Sequence, residues 1–213
     1  MDINESLIKT VGNNGAIDII SDIGEISLDN IIGNENINQI PIIGTLRSIY
    51  KIANSISDYL FVKKLLKFLQ ELGEVSEEQK LELNIKIQSD FQYNKKIGEK
   101  LLEIIDKVDD TDKTRIIALL FRAFIEGKID LQKFFKFSQL TNKAFLPDII
   151  AFSRQDLTKV YTAQESSSLL GLGLIEVRTK TKKQNISLGD IGMNNQIEFV
   201  LNEIGVEYFK LLR

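Results

Sequence analysis

The chain has 213 residues and a formal net charge of −3, and it contains no Cys, no His and no Trp. Without Cys there is no disulfide and no thiolate chemistry, and without His the commonest general acid/base near neutral pH, the Ser–His and Cys–His nucleophile pairs and the commonest zinc ligand are gone. What remains predicts a protein that is not an enzyme, carries no cofactor and has no evident small-molecule substrate.

Two prolines, and charged residues that are mostly helix formers, predict a mainly α fold. Residues 1–40 are acidic, with Lys9 the sole basic residue. Glycines at 12, 15, 24 and 33 cut this part into short pieces. Ile17, Ile19, Ile20, Ile23, Ile26 and Leu28 suit short helical turns, and residues 34–38 (NENIN) read as a loop. The expectation is an acidic N-terminal arm, partly disordered by itself, whose charge suits the lysines at 63–67. The start, MDINESLIK, lacks a basic leader before an apolar core, so no signal peptide and a cytoplasmic location are expected.

Residues 41–69, PIIGTLRSIYKIANSISDYLFVKKLLKFL, hold the longest helical apolar pattern. Ile42, Leu46, Ile49, Ala53, Ile56 and Leu60 step alternately by four and three, which draws one stripe down a helix. The stripe resumes as Phe61, Leu65, Phe68 and Leu69. The polar seam 54–58 (NSISD) leaves two readings: one kinked helix, or two helices with Ser57 or Asp58 capping the second. A central core helix is expected. The rival is a membrane or partner surface made by Tyr50, Lys51, Tyr59, Phe61, Lys63, Lys64 and Lys67. A spanning helix is excluded, because charges interrupt any run of about 20 apolar residues.

Beyond it, Gly73 suits a helix stop, and Ser76 with Gln79 forms a capping-box pair. Leu81, Leu83, Ile85 and Ile87 alternate, yet Glu, Lys and Gln around them favour helix over the rival strand. Ile97, Leu101, Ile104, Ile105 and Val108 make the next stripe, then Ile116, Ile117, Leu119, Leu120 and Phe124 up to Gly127. Asp130 caps a helix with Leu131, Phe134, Phe135, Phe137 and Leu140, and Pro147 breaks the chain before DIIAF. Residues 41–152 thus read as a helical bundle with short turns.

Thr162 and Glu165 form a second capping box, ahead of a short helix that stops at Gly171 and Gly173. Residues 174–180 and 196–201 alternate as strands, a polar loop joins them, and a helix closes the chain. The capped helix, the turn LLGLGLIEV, the hairpin and FVLNEIGVEYFKLL resemble the second half of a winged-helix domain. In that family GLI opens the first wing strand and an LTxxG-like turn leads into the closing helix. Here the turn is Leu201-Asn202-Glu203-Ile204-Gly205. The resemblance implies a winged-helix-like α+β segment over 153–213. The rest of the chain (EISLDNII, QIPIIGTLRSIYK, SISDYLFVKKLLKFL) is similar to small uncharacterised bacterial proteins, and loosely to phage-abortive-infection proteins that end in such a segment.

Strand alternation puts Arg178, Lys180 and Lys182 on one face of the hairpin, with Lys183 following, a row suited to phosphates or simply to water. The helix 163–170, where a DNA reader would carry basic residues, has none. Asp106, Asp109, Asp110 and Asp112 gather between two helices as weak candidates for a divalent cation, but acids there also suit helix starts. The expected function is that of a non-enzymatic interaction or regulatory protein of the bacterial cytoplasm, in stress or phage defence, that binds a protein partner or itself. The alternatives are a winged-helix nucleic-acid binder and a membrane-acting effector using residues 41–69.

Overall fold

In the computed structural model the chain divides into two units, Met1–Asn142 and Lys143–Arg213. The structure describes residues 2–22, 40–52, 55–72, 76, 78, 79, 81, 82, 85, 91–182 and 194–213. The first unit holds α1 (Ile3–Val11), α2 (Asn14–Asp22), α3 (Pro41–Ile52), α4 (Ile56–Glu71), α5 (Phe91–Lys107), α6 (Lys113–Ile125) and α7 (Leu131–Lys143). The second holds α8 (Leu146–Ser153), α9 (Ala163–Gly171), β1 (Ile175–Lys182), β2 (Asn194–Leu201) and α10 (Glu203–Leu211). The division therefore falls ahead of α8, not behind it at residue 152.

The first unit is arranged around α4, which packs against α2, α3, α5 and α6. Its inward face is Val62, Leu65, Leu66, Phe68 and Leu69, all buried. Of α3, Ile42, Ile43 and Leu46 are buried. The seam therefore separates two helices. The cap of the second is Ser55, not Ser57 or Asp58: its hydroxyl accepts from the Asp58 N–H at 3.1 Å and donates to the Asp58 carboxylate at 2.7 Å. The break resets the helical phase. Ile56 and Leu60, expected to continue the α3 stripe, instead share the outward face of α4 with Lys63, spaced four and three apart. Ile56 is 80 % exposed and Leu60 is 40 % exposed.

The acidic start enters this core at residues 2–22 as two packed helices, not as a loose arm. Leu7, Ile8, Val11, Ile17 and Ile20 are buried. α1 lies against α2, α3 and α5. Pro41 has no N–H, so the first free donor of α3 is Ile42, and the Thr10 hydroxyl accepts from it at 3.1 Å. Ser6 and Thr45 share a second bond of 2.7 Å between the same two helices. The pieces expected at Ile23, Ile26 and Leu28 and the loop 34–38 lie outside the described residues. Positions 78, 79, 81, 82 and 85 are helical, which settles those described positions in favour of helix; Leu83 and Ile87 lie outside the described residues.

Phenylalanines fill the far side. Phe121 on α6 has the rings of Phe68, Phe124 and Phe134 at 5.6, 5.8 and 5.3 Å. Such tilted and edge-on pairs add to area burial because ring edges are positive and faces negative.

In the second unit β1 and β2 form an antiparallel hairpin, with Ile175 opposite Leu201 and Lys182 opposite Asn194. Tyr161 adds a one-residue bridge to the outer edge of β2 at Phe199. Phe152 stacks on Tyr208 and meets Phe209 edge-on. The order of capped helix, hairpin and closing helix is winged-helix-like, and the fold as a whole is mainly α with this short α+β end.

Candidate functional site

The hairpin row is the first candidate surface. Glu176, Arg178, Lys180 and Lys182 alternate onto one face of β1, and Glu198 of β2 stands opposite Arg178. Arg178 Nε meets Glu176 at 2.7 Å, and Lys180 Nζ meets Glu198 at 3.4 Å. Each described basic side chain of the row therefore carries a carboxylate. Lys182 is placed as backbone of β1, and Lys183 lies outside the described residues. The exposed residues of α9, Gln164, Glu165, Ser167, Ser168 and Leu170, include no cation. Among the described side chains the row is therefore balanced in charge, and a balanced surface releases few counterions from nucleic acid.

The outward face of α4 is the second. Ile56, Tyr59 and Leu60 are exposed there beside exposed Lys63, and Phe61 is half-buried at its side. The other two lysines of the expected surface turn inward to the fold. Lys64 donates to the Asp106 carbonyl at 2.8 Å, and Lys67 pairs with the Asp112 carboxylate. Tyr50 and Lys51 are placed only as backbone of α3. The patch is thus smaller and less basic than the sequence suggests. No helix is long and apolar enough to cross a membrane among the described residues.

The acidic knot between α5 and α6 is used locally. The Asp109 carboxylate meets Lys113 Nζ at 2.6 Å, and the Lys113 hydrogen bond holds its pKa below the usual carboxylate range. Lys67 does the same for Asp112. Asp110 accepts from the Asp112 N–H at 2.8 Å, and Asp106 contributes its carbonyl to Lys64. No three acids converge on a point where a metal ion would sit, among the described residues.

A shallow cleft of about 440 Å³ lies between α5 and α7. Ile97, Leu131 and Phe135 form its floor, with Lys96, Lys100 and Glu103 at the rim. Glu103 is held down at about 2 by hydrogen bonds first from Lys100, at 2.7 Å, and then from Lys107, at 2.5 Å. A carboxylate so paired is a poor base.

The sequence reading missed the exposed apolar pair Val177 and Ile197 on the hairpin, though alternation in β1 and β2 puts both on the face opposite the charged row. It also missed that Ser55 and Asp58 share the S-x-x-D spacing of a cap. Comparison of the chain with family models, curated proteins and solved structures gives no match.

Proposed function

We propose that this is a non-enzymatic interaction protein that works through a protein-binding surface on the outward face of α4. The observation that carries the reading is the exposure of Ile56, at 80 %, together with Tyr59 and Leu60, at 40 % each, on a helix whose other face forms the core. Burying such side chains against a partner gains roughly 25 cal/mol per Å² of apolar area. The absence of His and Cys supports a role outside bond chemistry. The setting implied by the sequence resemblance is a bacterial cytoplasm, in stress or phage defence.

A membrane-surface role is the second reading, favoured by Lys63 standing beside the same apolar residues. Nucleic-acid binding has the least support, because Glu176 and Glu198 offset Arg178 and Lys180. The test uses the whole protein with anionic vesicles, with duplex DNA and with RNA at low salt. The protein-binding reading expects no binding to any of them, and expects a photo-crosslinker at position 56 to give a discrete protein adduct in cells. Vesicle co-sedimentation lost on Ile56→Glu and Lys63→Glu would transfer the α4 face to lipid; salt-sensitive DNA or RNA binding would overturn the reading.

A further inference from the structure

Among the described residues the hairpin has one edge with no partner, and its backbone shows which groups point there. The Phe199 carbonyl accepts from the Tyr161 N–H at 2.9 Å, on the side of β2 away from β1. Phe199 and its opposite, Val177, are therefore a pair that exchanges no hydrogen bonds. The N–H and C=O of Val177 face outward from β1 instead. By alternation those of Ile175 and Thr179 do too. No described residue pairs with that edge. Val177, 54 % exposed, and Ile197, 61 % exposed, stand on one face of the sheet beside it.

An open edge next to exposed β-branched side chains is a template for another strand. We infer that β1 pairs with β1 of a second copy of this chain, antiparallel about a two-fold axis at Val177. The charges select this occupant and this register. Centred on Val177, Glu176 of each copy stands opposite Arg178 of the other, twice over, while Val177 meets Val177 on the apolar face. Centring on Arg178 would pair Glu176 with Lys180 but set Arg178 against itself, and centring on Thr179 would pair Glu176 with Lys182 but set Arg178 against Lys180 twice. Among these registers only the one centred on Val177 joins opposite charges with no like charges opposed, so the isologous strip is self-complementary there. A strand pair buries less than a standard interface, so the dimer belongs to the weak, transient class. The inference rests on the reading that the protein works through surfaces, but it uses a different surface from α4.

The test is sedimentation velocity on the whole protein from micromolar to millimolar concentration, with amide exchange at Val177 and Thr179. The expected result is a monomer–dimer equilibrium in which both amides gain protection as concentration rises. Arg178→Glu should weaken the dimer at least tenfold, and Glu176→Arg combined with Arg178→Glu should restore it. Val177→Pro should abolish it while leaving the hairpin folded, since the Val177 N–H is not used in the β1–β2 ladder. A monomer throughout the series would overturn the pairing and leave the α4 reading to its own crosslinking test. Self-association that survives both Val177→Pro and Arg178→Glu would overturn it equally.

Discussion

Lys113 ends in a side chain only 2 % exposed, yet its Nζ lies 2.6 Å from the carboxylate of Asp109, which is 70 % exposed. Its second acceptor is the Asn142 carbonyl at 3.2 Å. One ammonium thus joins the start of α6 to the end of α7, with its charge withdrawn from water. Removing the carboxylate leaves that charge short of a partner, a loss of about 1–3 kcal/mol. Replacing the lysine with an apolar chain of similar length removes the charge and the need for compensation together, which is often near neutral. Urea denaturation should therefore show Asp109→Asn to be more destabilising than Lys113→Met. The reverse order would mean that the ion pair contributes net stability beyond compensating burial.

Acid should act on two carboxylates in different ways. Glu165 accepts from the Thr162 N–H at 3.0 Å, from Lys159 Nζ at 2.9 Å and from the Thr162 hydroxyl at 3.0 Å. The backbone bond leads in holding it down at about 2, as the Lys100 bond leads for Glu103. An unfolded Glu takes its proton near 4.3. As pH falls below that value the unfolded chain binds protons that these folded carboxylates refuse. The stabilisation they give is whole above about pH 4.3 and is lost as pH falls to about 2. Carboxyl NMR titration should find both midpoints near 2. Added salt should raise that of Glu103, whose partners are lysines, more than that of Glu165. Midpoints near 4 would contradict the hydrogen bonds described.

Local signals in the sequence carried the helices well and the helix faces less well. The capping box at Thr162 and Glu165 forms as its spacing predicts, with both reciprocal bonds present. The hairpin follows from alternation in residues 174–180 and 196–201. What failed was phase. Ile56 and Leu60 continue the α3 stripe in sequence, but the break before Ser55 starts a new helix with its own inward face. A stripe has meaning only within one helix, and the seam's polarity does not say how far the axis turns. The surfaces were harder still. The row at Arg178 and Lys180 looks basic until the register sets Glu198 beside Lys180, and strand pairing across a loop is invisible to a single segment. The pairing of Lys67 with Asp112 joins residues 45 positions apart, beyond any local rule.

The closing helix depends on a glycine. A Cβ at Gly205 would lie 2.1 Å from the Leu174 carbonyl oxygen, a backbone atom with no flexible end to move. Asn202 ties the same corner: its side chain accepts from the Gly205 N–H at 2.8 Å and donates to the Gly173 carbonyl at 2.9 Å. Gly205→Ala should cost about 3 kcal/mol or more through overpacking. Gly171→Ala, where a Cβ meets nothing within 4 Å, should be neutral or stabilising by about 0.5–1 kcal/mol. Paired thermal melts check both. Equal effects at the two positions would show that helix propensity governs, and not the close approach.

The phenylalanine core and the outward face of α4 predict opposite responses to truncation. Phe121 is 1 % exposed and touches rings on α4 and α7 as well as its own helix. Cutting it to Ala removes the transfer free energy of a ring and leaves a cavity that three other phenylalanines line, so Phe121→Ala should cost about 3–5 kcal/mol. Ile56 buries little and follows an exposed cap, so Ile56→Ser should change stability by less than about 0.5 kcal/mol. Denaturant melts of the two variants measure the contrast directly. A large loss at Ile56 would mean that its side chain is covered within the folded chain, and the α4 face would then be core, not a binding surface.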